Sequence, residues 1–94
     1  MSTADEIKKK FDKISATVVE KNNIYGDIVT SNPVLCPQVT PIYAMLVRLS
    51  DKISRVKQLL ESDADNKVEL IDATLEDVAG YSVLLSLCLE SSDL

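Results

Sequence analysis

Histidine is missing from the chain, and with it the commonest general base and metal ligand. Any catalysis must therefore run on carboxylates, lysine, tyrosine or a carboxylate-bound metal. Glycine and proline are scarce, at 2 and 3 residues, which favours long helices over a turn-rich β fold. The two cysteines, Cys36 and Cys88, have no metal-ligand spacing and form no disulfide framework. Nothing beside Cys36 in Leu35-Cys36-Pro37 would activate its thiol. No apolar run approaches the roughly 20 residues of a membrane span. The amino-terminal stretch is polar through Lys10, unlike a secretory leader. These absences read as a cytoplasmic protein. The net charge of −5 argues against binding to a nucleic-acid backbone.

What is present fits one small globular domain over residues 1–94, 46% hydrophobic and 27% charged. A chain of this size buries only about 60–65% of its unfolded surface, so it gains much from a partner. Charge is unevenly placed. Lys8, Lys9, Lys10 and Lys13 sit near the start, while Glu61, Asp63, Asp65, Glu69, Asp72, Glu76 and Asp77 crowd the last third. That asymmetry pairs a first helix with a third.

Thr3-Ala4-Asp5-Glu6 has the form of a capping box. Ile7, Phe11, Ile14 and Val18 then mark one helical face. The spacing predicts a helix over about 4–21, extended toward 29 by Ile24, Tyr25, Ile28 and Val29. Gly26 there would permit close approach of another backbone or a ligand. Pro33, Pro37 and Pro41 make residues 30–41 a loop.

A second helix is expected over about 42–61, with Pro41 in its first turn. Ile42, Leu46, Leu49, Ile53, Val56 and Leu60 alternate spacings of four and three, a packing seam. After a polar turn at 62–67, Asn66 with Glu69 can cap a third helix over about 67–90. Its apolar face is Ile71, Leu75, Val78, Leu85 and Leu89. From Val83 to Leu89 it is apolar almost all round, and such a helix must be surrounded. The expected architecture is an all-α bundle of three main helices per chain, completed by oligomerisation. The tail, Ser91 to Leu94, should fray.

Two polar groupings do not fit a bland bundle. Glu69, Asp72 and Glu76 share a solvent stripe on the third helix, but Asp77 falls on the flank of its apolar surface. A carboxylate there is costly unless paired, hydrogen-bonded or metal-bound. Thr74 and Tyr81 point toward the same spot. Either a lysine or arginine from another helix and Tyr81 satisfy Asp77, or the spot is a ligand site. On the second helix, Arg48, Asp51 and Arg55 form a stripe with Lys52 beside it. These could pair locally for about half a kcal/mol per exposed pair. Facing Asp77, they would instead make a set suited to phosphate, with or without Mg²⁺.

Three segments occur in order: Lys21-Asn22-Asn23 with Tyr25-Gly26-Asp27; Arg48-x-x-Asp51-Lys52-Ile53-Ser54-Arg55; and Thr74-Leu75-Glu76-Asp77-Val78-Ala79-Gly80-Tyr81. Over about residues 20–88 the chain resembles the phage-type nucleotide modification associated domain, a relative of the MazG-like all-α NTP pyrophosphohydrolases. The resemblance implies an oligomeric helical bundle with a nucleotide pocket between helices or subunits. It implies Asp51 and Asp77 as Mg²⁺-side, catalytic carboxylates, and Arg48, Lys52 and Arg55 at phosphates. Tyr25 and Tyr81 would line the base or sugar, with Thr74 beside Asp77. Ala73 stands where that family usually carries an acid, and the family's Glu-x-x-Glu pair is absent. Binding without hydrolysis is therefore the first expectation: a phage protein that sequesters a nucleotide-type ligand in the host cytoplasm. Mg²⁺-dependent pyrophosphohydrolysis is the second. The third is a ligand-free interaction module inhibiting a host protein through its acidic surface.

Overall fold

The computed structural model describes residues 2–92 and is all-helical: α1 spans Thr3–Tyr25, α2 Pro41–Leu60 and α3 Lys67–Glu90. The expected fraying of the tail falls partly on residues 93–94, outside the described residues. Ser91 and Ser92 turn back on α3, their hydroxyls donating to the Leu87 and Leu89 carbonyls.

α1 begins one residue earlier than the capping box suggested. Ser2 is the N-cap, and its Oγ accepts from the Asp5 N–H at 3.2 Å; Asp5 and Glu6 then favour the positive end of the helix. The helix stops at Tyr25 and does not run toward 29. Gly26 takes φ 95°, a left-handed conformation that glycine adopts at little cost, and donates back to the Asn22 carbonyl. No atom lies within 4 Å of where its Cβ would stand. Gly26 thus serves the backbone turn and not a close approach.

The loop that follows is folded on itself. Asp27 Oδ1 accepts from the Val29 N–H at 3.0 Å, and the Ser31 hydroxyl donates to the Asp27 carbonyl. Asn32 Nδ2 donates to the Pro37 carbonyl at 2.8 Å. Thr40 caps α2 without a side-chain bond, and Pro41 supplies a first-turn φ. The α2–α3 turn is tied by Ser62, whose Oγ accepts from the Ala64 N–H and whose carbonyl accepts from Lys67 Nζ. Asn66 occupies the N-cap of α3, yet its side chain makes no cap bond. At φ −103°, ψ 23° it lacks the extended backbone that aims an Asx oxygen at the following N–H groups.

α2 and α3 form an antiparallel hairpin. α1 packs on α3 but not on α2, so α3 is the central element. Among the described residues the enclosed core is small: Met45 is fully covered, with Cys88 and Thr74 nearly so. The expected seam of α2 is divided by this packing. Ile42, Leu49 and Val56 join Met45 and Leu59 toward α3, whereas Leu46, Ile53 and Leu60 are exposed. On α3, Ile71, Val78 and Leu85 are partly covered while Leu75 and Leu89 are exposed. On α1, Ile14 and Val18 dock but Ile7 and Phe11 stay open to solvent. One helix can turn only one strip toward one neighbour, and these helices carry more apolar strips than they have neighbours.

α1 comes close to α3 at Gly80, where a Cβ would stand 2.8 Å from Val18 Cγ2. Below that crossing, lysines of α1 meet acids of α3. Lys10 Nζ lies 3.0 Å from Asp72 Oδ1 and 3.2 Å from Glu76 Oε2, and Lys13 Nζ is also 3.2 Å from Glu76 Oε2. The first and third helices are thus paired through the charge asymmetry of the sequence. Hydrogen bonding to Asp72, reinforced by Glu76, holds the Lys10 ammonium above its ordinary range.

The two thiols differ in kind. Cys36 is exposed in the loop, and Cys88 is buried with its Sγ 3.6 Å from the Val29 carbonyl. Burial, with the negative charge of Asp27, raises the Cys88 thiol above its ordinary range. Iodoacetamide at pH 8 should therefore modify Cys36 fully in the native protein, while Cys88 reacts only on unfolding. Peptide mapping by mass spectrometry checks this.

Candidate functional site

Because α1 and α2 lean on α3 without touching each other, a cleft of about 710 Å³ opens between them. The second half of α1 and the loop after it form one wall, with Lys21, Tyr25 and Asp27. Ala44 and Arg48 of α2 form the other. α3 supplies the floor, through Ala73, Glu76, Asp77, Gly80 and Tyr81. The volume falls within the range of small-molecule sites, roughly 300–1,000 Å³.

Of the residues singled out by sequence, the fold brings Tyr25, Arg48, Asp77 and Tyr81 onto this one cleft, from three different helices. Lys52 stands behind them: its Nζ lies 3.1 Å from Asp77 Oδ2, both side chains being partly covered. Asp77 is therefore paired with a lysine from another helix, as one of the two alternatives has it, but among the described residues Tyr81 makes no hydrogen bond to it. Thr74 is buried, its hydroxyl donating to the Leu70 carbonyl at 2.7 Å, and it does not line the cleft. Asp51 and Arg55 are exposed on α2 and also lie off the cleft wall.

Lys21, Asn22, Asp27 and Glu76 are polar residues of the wall that the sequence did not put forward as site residues. All four lie within the segments that carry the family resemblance, three of them near Tyr25 and Glu76 beside Asp77, and proximity in sequence was the available signal. Glu76 needs correction. It does not share the solvent stripe of Glu69 and Asp72, since its side chain is only 17% exposed, covered where α1 crosses. Its buried Oε2 faces both ammonium groups without a well-aligned hydrogen bond, so the attraction there is coulombic; Oε1 accepts from Lys13. Asn22 Oδ1 is buried and unpartnered among the described residues, an unsatisfied acceptor in the wall between α1 and α3.

The charges can be balanced group by group. Glu76 is matched by Lys10 and Lys13, and Asp77 by Lys52. Asp27 spends one carboxylate oxygen on the Val29 N–H. Lys21 and Arg48, on opposite walls, have no ion-pair partner among the described residues. The cleft thus offers two cations and two phenol rings, with the Asp27 carboxylate as a third charged group that has no ion-pair partner among the described residues.

The same geometry does not assemble a Mg²⁺ site from the expected ligands. Asp77 is engaged by Lys52, Asp51 lies off the cleft, and among the described residues no three acidic or thiol groups gather closely enough to hold a metal.

Comparison with known proteins returns no match: no family model fits the chain, and no curated protein or solved structure is significantly similar to it.

Proposed function

We propose that this protein binds a nucleotide or nucleotide-derived phosphate-bearing small molecule in the cleft between α1 and α2, and sequesters it unchanged. The observation that carries the reading is the placement of unpaired Lys21 and Arg48 on facing walls, beside Tyr25 and Tyr81. A guanidinium and an ammonium are complementary to phosphate oxygens. Aromatic rings flanking them give a base a surface to stack on. The resemblance to phage-type nucleotide modification associated domains points the same way. The ligand places the protein's work in the cytoplasm, that of the host if a phage encodes it. The protein acts as a homo-oligomer, because a chain with so small an enclosed core leaves much apolar surface for further copies to cover.

Native mass spectrometry of protein purified from cells, followed by chromatography of what heat releases, tests this reading. The expected result is a nucleotide-type adduct returned intact, weakened at least tenfold in Arg48→Ala and in Tyr81→Ala. Such losses correspond to about 1.4 kcal/mol or more each. Empty wild-type protein that binds no nucleotide in titration calorimetry would sink the proposal.

A second reading, Mg²⁺-dependent pyrophosphohydrolysis, is favoured by one observation: three carboxylates, Asp27, Glu76 and Asp77, reach the cleft wall. Asp77 and Glu76 are already ion-paired, so it ranks second. Pyrophosphate release from any NTP with Mg²⁺, abolished in Asp77→Asn, would reverse the order.

A further inference from the structure

On the side of the α2–α3 hairpin turned away from α1 lies a second surface. Met45, Lys52 and Leu59 face α3, and Ala44 and Arg48 turn toward the cleft. One residue after each of the inward positions, about 100° round the helix, come Leu46, Ile53 and Leu60, turned the opposite way. On α3, Ala73, Glu76 and Gly80 face the cleft and α1, which sends Leu75 and Leu89 to the opposite flank. In an antiparallel hairpin these two flanks make one face. Its five large side chains are 44–61% exposed.

This face differs from the rest of the surface in charge. Arg48, Asp51 and Arg55 lie on a different side of α2, only Arg48 of them reaching the cleft, and Glu69, Asp72, Glu76 and Asp77 lie elsewhere on α3. Between the apolar residues stand Ser50, Ser54, Ala79, Ser82 and Ser86, small groups that let helices approach, and Lys57 and Glu61 carry opposite charges there. For a chain of net charge −5, a face with few acids opposes the approach of a second copy little.

We infer that a second copy of this chain occupies this face, related by a two-fold axis, so that two α2–α3 hairpins close into a four-helix core with the clefts outermost. The area supports one large partner. A compact 10.3 kDa monomer exposes about 5,400 Å², whereas this chain exposes 7060 Å². The excess, about 1,700 Å² per chain, is shared with the cleft and the outer side of α1; half of it buried on each chain would make an interface of about 1,700 Å², the size of a stable specific one. The radius of gyration agrees in sense: 15.1 Å against about 12 Å for a compact domain of this length. Leu46, Ile53 and Leu60 repeat every seven residues, the period by which one helix keeps its contact with another along its length. A two-fold relation follows from closure, because identical faces bury one another completely only in an isologous pair.

The inference deepens the association part of the proposed function and is independent of the ligand, because its test reads mass. Sedimentation equilibrium should give a dimer or a multiple of it at micromolar concentration. Ile53→Glu with Leu75→Glu should shift it to monomer with loss of at least a hundredfold in association, while Phe11→Glu, on the outer face of α1, leaves the mass unchanged. A benzophenone side chain placed at position 53 in otherwise unaltered protein keeps the test valid if the glutamate variant fails to fold. It should cross-link to α2 or α3 of another copy in mixed isotopically labelled samples. A wild-type monomer overturns both the association and the face. An oligomer that survives the double variant, is broken by Phe11→Glu, or cross-links from position 53 to α1 overturns the face alone.

Discussion

Replacing Met45 by alanine should cost about 2–4 kcal/mol of unfolding free energy, a large share of the roughly 5–14 kcal/mol available to a domain of this length. Met45 is 0% exposed, the only large side chain so enclosed among the described residues. It sits where α2 meets α3, and a fold with one such side chain has little else to collapse into the void. The fall should appear as a lower urea midpoint with an unchanged slope, since the surface exposed on unfolding stays nearly the same. Protein concentration must be held fixed, because the proposed self-association would add its own stabilisation by mass action. Leu35→Ala, at an exposed loop residue, should change the midpoint little. If Met45→Ala proved equally mild, the α2–α3 contact could not be the centre of the fold.

Gly80→Leu should also be severe, and here propensity and packing predict opposite signs. Glycine inside a helix costs about 1 kcal/mol relative to alanine, so propensity alone expects even Gly80→Ala to stabilise. The fold expects the reverse. A Cβ at Gly80 would lie 2.8 Å from Val18 Cγ2, and valine, stiff at χ1, cannot swing away. Overpacking of this kind costs about 1–3 kcal/mol, which cancels or exceeds the propensity gain for alanine and far exceeds it for leucine. Because α1 has no contact with α2 to fall back on, the strain should be relieved by undocking α1. Leucine should therefore lower the melting temperature, speed amide exchange across α1 and abolish the nucleotide binding proposed above, since α1 and its loop form one wall of the cleft. A higher melting temperature with intact protection of α1 would show that α1 is not seated on Gly80.

Met45 and Gly80 mark the limit of what periodicity reveals. The spacing of Ile42, Leu46, Leu49, Ile53, Val56 and Leu60 identifies a helix with a strong seam, but a 3.5-residue repeat does not say which half of the seam meets its own chain. Met45 lay outside that seam and became the most buried side chain. Gly80 was visible only as part of a motif. The cleft was partly legible: Tyr25, Arg48, Asp77 and Tyr81 were singled out, and they line it together. Glu76 was placed on a solvent stripe by the helical wheel, which has no means of showing that α1 crosses over it. Asp51 and Arg55 were grouped with Arg48 by spacing, although a stripe on a helix is wider than the wall it contributes.

The sequence by itself determined the helices, the break between the first two and the charge pairing of α1 with α3. These are local or nearly local properties: proline removes a donor and fixes φ, glycine admits a left-handed turn, and opposite charges select their neighbours. Tertiary structure alone decided that α3 is central, that α1 and α2 stand apart over it, and that Lys52 holds Asp77 while Lys21 and Arg48 are left unpaired. The physical reason is that each helix carries more than one strip able to be buried. Which strip wins depends on the shape of the whole chain, set by close contacts such as Val18 against Gly80, and those contacts join residues far apart in sequence.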